Sequence, residues 1–195
     1  MTPRTLLLCA LTLLAPLAHA APAVAIFAAG CFWCTEADFE KIDGVIGAES
    51  GYIGGRVEAP SYEQVSAGGT GHVEAVRVQF DPERVSYEEL LAVYWRNVDP
   101  YAADGQFCDK GPQYRSAIFY LDEAQRASAE RTRDALAAKY PERPAIVTEI
   151  LPATRFWPAE AYHQDYYKKN PVRYRYYRWG CGRDRRLAEL WGTPS

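Results

Sequence analysis

Residues 24–29 form an unbroken apolar run, which reads as a buried strand, and Gly30 closes it. A helix is expected over 32–42 and a glycine-punctuated strand over 47–53. Gly54, Gly55 and Pro60 mark a loop, and 62–66 reads as a short helix. Residues 72–80 alternate apolar and polar as a strand should, and Asp81-Pro82 ends them. Ser86-Tyr87-Glu88-Glu89 is a capping box; the helix it opens has Leu90, Leu91, Tyr94, Trp95 and Val98 on its apolar face. Further on, 115–121 predicts a strand, 122–140 a charged amphipathic helix, 146–151 a strand and 159–168 a helix. The remainder reads as irregular. Strands and helices alternate only loosely, which favours an α+β sheet with helices packed on it.

The first twenty residues have the layout of an export signal. Arg4 precedes an apolar core over 6–17, and Ala18-His19-Ala20 offers a small-x-small cleavage site. Cleavage near Ala20, a periplasmic destination and one domain over 21–195 are therefore expected. The apolar core is too short to span a membrane, and no later stretch is long and uninterrupted enough, so no membrane insertion is expected. With 22 Lys and Arg against 25 Asp and Glu, the chain is mildly acidic, which argues against nucleic acid as a partner. The stretch 174–183 interleaves arginines with aromatic residues, but in an acidic, exported chain it reads as a tail wrapped on the surface.

Cysteine usage sharpens the picture. Cys9 lies in the export signal, leaving Cys31, Cys34, Cys108 and Cys181. One C-x-x-C without a second pair, and only His72 and His163 beside it, makes a poor zinc set; neither metal nor cofactor is expected. Gly30-Cys31-Phe32-Trp33-Cys34 places a cysteine where a strand gives way to a helix. The helix's orphan N–H groups and positive end favour its thiolate, and two aromatic rings beside it offer an apolar wall. Cys34, inside the first turn, is expected to point away from Cys31.

Glu74 alternates in phase with Val76, Val78 and Phe80, opposite Arg77 and Gln79. A carboxyl at the mouth of an apolar strand face should be desolvated and stay protonated near neutral pH, ready to bond and protonate an oxygen. Tyr62, Tyr114, Phe156 and Trp157 join Phe32 and Trp33 as pocket-lining candidates. Asp109 lies beside Cys108 in the loop 105–111, and Gly180 and Gly182 mark Cys181 as a mobile cysteine.

Taken in order, Gly30-Cys31-Phe32-Trp33, Gly51-Tyr52-Ile53-Gly54-Gly55, Pro60-Ser61-Tyr62, Gly71-His72-Val73-Glu74-Ala75-Val76, Gln113-Tyr114-Arg115-Ser116 and Ala159-Glu160-Ala161-Tyr162-His163-Gln164-Asp165 resemble the peptide methionine sulfoxide reductase A family. The resemblance spans 25–191. It implies a ferredoxin-like, two-layer α+β core with an irregular C-terminal extension, and reduction of methionine-S-sulfoxide, free or in oxidised proteins. It implies Cys31 as nucleophile and Glu74 as acid, with Tyr62 and Tyr114 bonding the oxygen and Asp109 helping them. Phe32 and Trp33 become the methyl pocket. The Cys31 sulfenic acid would then condense with a second thiol, and a thioredoxin-like donor would reduce the disulfide. Glycine-flanked Cys181, with Arg178 and Arg183 to favour its thiolate, is the expected resolving cysteine, and Cys34 the alternative. A monomer is expected. Two rivals stay open on the residues alone: a cysteine hydrolase pairing Cys31 with His72 or His163, and a binding domain stapled by two disulfides.

Overall fold

The structure is a computed structural model, and it describes residues 21–192; the export signal expected over 1–20 lies outside them. The chain runs β1 (Ala23–Ala29), α1 (Phe32–Phe39), β2 (Val45–Ile53), α2 (Tyr62–Ser66), β3 (Val73–Phe80) and α3 (Tyr87–Arg96). The short strands β4 (Gly105–Gln106) and β5 (Asp109–Lys110), a 3-10 turn (Pro112–Tyr114), β6 (Ser116–Tyr120) and α4 (Glu123–Lys139) follow. After β7 (Glu149–Pro152) and β8 (Trp157–Pro158) come three helices, α5 (Tyr166–Lys169), α6 (Pro171–Gly180) and α7 (Arg183–Trp191).

Six strands make one sheet in the order β7-β6-β1-β3-β2-β8, antiparallel throughout except where β7 runs parallel to β6. Period-two alternation divides its side chains. Phe27, Val76, Val78 and Phe80 point to the face covered by Phe32 and Phe39 of α1, Leu90, Leu91 and Tyr94 of α3, and Ala129 of α4. Ile26, Ala28, Val73, Ala75 and Phe119 point to the other, where Leu151, Ala153 and Phe156 cover them. The expected capping box is in place: Ser86 accepts from the Glu89 amide and Glu89 accepts from the Ser86 amide. Each fully buried side chain of α3 contributes about 1.5–3 kcal/mol of apolar burial.

Helix α1 is apolar on two sides because it is buried on two sides. Phe32 and Phe39 face the sheet, whereas Cys34 and Ala37 pack against Tyr166 of α5 and Tyr174 of α6. The tail that reads as irregular is therefore three helices, of which α5 and α6 lie over α1. The helix expected over 159–168 is in fact a loop until Tyr166. There the Gln164 side chain bonds both main-chain groups of Ser50, and the Asp165 amide donates to Glu36 Oε1 at 2.5 Å, with Asp165 at φ 54°. Those side-chain and main-chain bonds to β2 and α1 outcompete local helix formation.

Candidate active site

The joint between β1 and α1 sets the site. Gly30 takes φ 81°, and a Cβ there would come within 2.6 Å of Gln106, so only glycine fits this turn. Cys31 follows as the N-cap of α1. The Phe32 amide, an orphan donor of the first turn, donates to Glu74 Oε2 at 3.0 Å. Glu74 is 3% exposed at the mouth of the β3 face, as its alternation predicts. Cys31, Phe32, Trp33, Tyr62, Glu74, Asp109, Tyr114 and Tyr177 together line a pocket of about 60 Å³. The start of α1, the start of α2, strand β3, strand β5, the 3-10 turn and α6 all contribute, so six separate segments meet at one point.

The electrostatics are set by burial. Burial pushes Glu74 up to about 8, despite the Phe32 amide, with Asp109 and Cys34 adding to the rise. Glu74 is thus a neutral acid at pH 7. Burial likewise raises Tyr62 to about 12 and Tyr114 further, Glu74 being the next cause for each, so both hydroxyls remain donors. Asp109 is raised by burial, while the Tyr177 hydroxyl, donating to Asp109 Oδ2 at 2.6 Å, opposes the rise.

The cysteines depart from expectation in three ways. Cys31 is raised well above the ordinary thiol range, first by burial, then by Cys34, Glu74 and Asp109; the helix end does not by itself make it a thiolate. Cys34 points toward Cys31, not away: the two thiols share a hydrogen bond, which pulls Cys34 down to about 7 with help from Arg183 and Arg178. Cys31 and Cys34 are free, and Cys181 is not a free, mobile thiol but is bonded to Cys108. The physical reason is the fold of the tail. Gly180 ends α6, the Cys181 amide donates to Tyr177 O at 2.8 Å, and Gly182, at φ 69°, turns the chain into α7. Cys181 therefore sits in a helical corner against the β4–β5 turn that carries Cys108, not in a mobile tail. The two arginines expected beside Cys181 are committed elsewhere. Arg178 pairs with Asp38 and Asp184, and Arg183 donates to Ala29 O at 3.0 Å and Asn97 O at 2.6 Å.

Several members of the site carry no clear mark in the sequence. Tyr177 is one of many aromatics in its stretch. His163 accepts from Trp33 Nε1 at 2.9 Å, and Tyr166 stacks on the same indole at 3.8 Å between centroids, so the Trp33 wall is fixed. Glu160 accepts from the Tyr62 amide at 2.8 Å and the Tyr52 hydroxyl at 2.9 Å, anchoring the start of α2. The motif Ala159–Asp165 could have flagged Glu160 and His163, but not what they do. Phe156 and Trp157, candidates for the lining, lie instead beside Gly51 on β2 and are outside the pocket.

These contacts bear on the two rivals. His72 bonds Gly55 N and Val57 O, and His163 Nδ1 is occupied by Trp33, so neither imidazole serves Cys31 as a base. A twice-stapled domain is at odds with Cys31 and Cys34 being free thiols.

The family model described as peptide methionine sulfoxide reductase matches residues 23–194. Peptide methionine sulfoxide reductase MsrA 2 of Rhizobium meliloti is 52% identical over 183 residues, covering 94% of this chain and 90% of the relative. The MsrA of Halalkalibacterium halodurans is 51% identical over 168 residues, covering 86% and 96%. Among solved structures, reduced Mxr1 from Saccharomyces cerevisiae superposes with a TM-score of 0.72 at 32% identity, covering 77% of this chain and 86% of Mxr1.

Proposed function

The chain belongs to the peptide methionine sulfoxide reductase family and is an oxidoreductase that reduces methionine sulfoxide; on that premise we propose how its own residues perform the reaction. The observation that carries the reading is a buried, neutral Glu74 in the same pocket as the Cys31 thiol. The sulfoxide oxygen lies toward Glu74, Tyr62 and Tyr114, and the methyl group lies against Phe32 and Trp33. As Cys31 attacks the sulfoxide sulfur, its proton passes along the thiol–thiol bond to the Cys34 thiolate. Glu74 donates its proton to the oxygen. Methionine leaves, reduced by two electrons, and Cys31 is left as a sulfenic acid.

Cys34, already in contact with Cys31, is the resolving thiol, in place of the expected Cys181. Its sulfur bonds that of Cys31, and the departing hydroxyl takes the Cys34 proton to leave as water. An external thioredoxin-like dithiol then supplies two electrons. Methionine-S-sulfoxide, free or in oxidised proteins, is the substrate; the monomer works after export, with the export signal at 1–20 removed and residues 21–195 as its one domain. The label ferredoxin-like is supported by the central order β6-β1-β3-β2 with antiparallel neighbours and helices after β1 and β3. Turnover of each epimer of methionine sulfoxide with dithiothreitol tests the whole reading. Methionine should form from the S epimer, and its absence would overturn the assignment.

A further inference from the structure

Two cysteine pairs meet at one wall of the pocket. Cys31 and Cys34 are 6% and 1% exposed, at the bottom of a pocket that admits a slim side chain but no folded protein. Cys108 is exposed, in the two-residue turn between β4 and β5, and its disulfide with Cys181 faces solvent. Asp109, the next residue, lines the pocket, and its Oδ2 lies 4.0 Å from Cys181 Sγ. The same oxygen accepts from Tyr177, whose hydroxyl also sits against the Cys31 thiol. Tyr177 and Asp109 therefore form one layer that touches both the buried couple and the surface one.

We propose that Cys108 and Cys181 are a second redox couple, which carries electrons from an external dithiol to a buried Cys31–Cys34 disulfide. The proposal rests on the sulfoxide-reductase reading above. The donor's dithiol reduces Cys108–Cys181 at the surface and becomes a disulfide itself. Cys181 thiolate then attacks Cys31 Sγ; the Cys31–Cys181 bond forms, the Cys31–Cys34 bond breaks, and Cys34 leaves as a thiolate. Cys108 thiolate next attacks Cys181 Sγ, reforming Cys108–Cys181 and releasing Cys31. Each leaving thiolate is balanced by the thiol proton its attacker gave up, with Asp109 facing Cys181 to accept it. Arg183 and Arg178, whose charges favour the Cys34 thiolate, make it the better leaving group of the buried pair. The resting state after one full relay is the one observed: Cys108–Cys181 bonded, Cys31 and Cys34 free.

The test counts methionine from fully reduced protein given methionine-S-sulfoxide without reductant. One equivalent of substrate should leave mainly Cys108–Cys181, as read by peptide mapping, and excess substrate should yield two methionines per chain and both disulfides. The same protein with Cys108–Cys181 already closed should yield one. Cys108→Ser/Cys181→Ser should also yield one, ending in Cys31–Cys34. One methionine from the fully reduced protein, with Cys108 and Cys181 still thiols, would reduce this disulfide to a brace and overturn the relay alone. No methionine from either redox state would instead overturn the reductase reading.

Discussion

Glu74 Oε2 accepts the main-chain N–H of Phe32 at 3.0 Å, so the acid is tied to the first turn of the helix whose N-cap is the nucleophile. Acid and thiol cannot shift independently. That coupling fixes the direction of attack relative to proton delivery, and it makes the pH dependence legible. Cys34 is pulled down to about 7, so its accepting thiolate is present above that value and lost as pH falls through it. Glu74 is raised to about 8, so the donating acid is present below that value and lost as pH rises through it. A narrow bell between these limbs is expected for single-turnover reduction. In Glu74→Gln the alkaline limb should vanish and the rate should drop by about 10²–10⁴-fold, the usual worth of general acid help. An unchanged profile would remove Glu74 from the reaction.

Cys31→Ser should abolish release of methionine even in a single turnover. A serine hydroxyl in this buried site has neither the nucleophilicity nor the acidity of a thiol, and Cys34 lies beneath it at 1% exposure. Quenched-flow detection of methionine is the check; substantial product would mean another sulfur attacks.

Discrimination between epimers should be steric and polar at once. In the R epimer the oxygen would face Phe32 and Trp33 and lose its bonds, a cost of about 1–3 kcal/mol. A strong preference for the S epimer is expected, and Trp33→Ala should raise KM for it while narrowing the preference. Equal turnover of both epimers by the unaltered protein would show that the pocket is misread.

Arg183 should matter for stability more than for chemistry. It is 1% exposed and donates to Ala29 O and Asn97 O, two carbonyls at the ends of β1 and α3. Arg183→Leu leaves both acceptors buried without that donor and should cost about 3 kcal/mol, read as a lower denaturant midpoint. A midpoint within error of the parent would mean the carbonyls find other partners.

The sheet and the heart of the pocket were legible because local patterns carry them. The apolar run into Gly30-Cys31 marks a strand meeting a helix, and the phase of Glu74 with Val76 and Val78 places its carboxyl on the core face. The tail was not legible. In α6 the sequence Pro171–Gly180 is polar and aromatic, and Tyr174 is its one fully buried side chain, too few to set a helical period. The strands β4 and β5 are two residues each and leave no alternation to read. Cys108 and Cys181 are 73 residues apart, and spacing alone carries no pairing information at such separation. The direction of the Cys34 side chain depended on those same tail helices, which press on α1 from the side opposite the sheet.

The reach of Arg183 back to Ala29 has a consequence for how the protein comes into being on the ribosome. The strand end that precedes the nucleophile is made early among the described residues, and the guanidinium that bonds its last carbonyl is made more than a hundred and fifty residues later. Tyr177 and Tyr166, which close and brace the pocket, also come late. A nascent chain halted before residue 166 has its reactive thiol and its acid but an unfinished pocket. Translation must run past residue 183 before Cys31 is enclosed, and until then the thiol is open to any oxidant it meets.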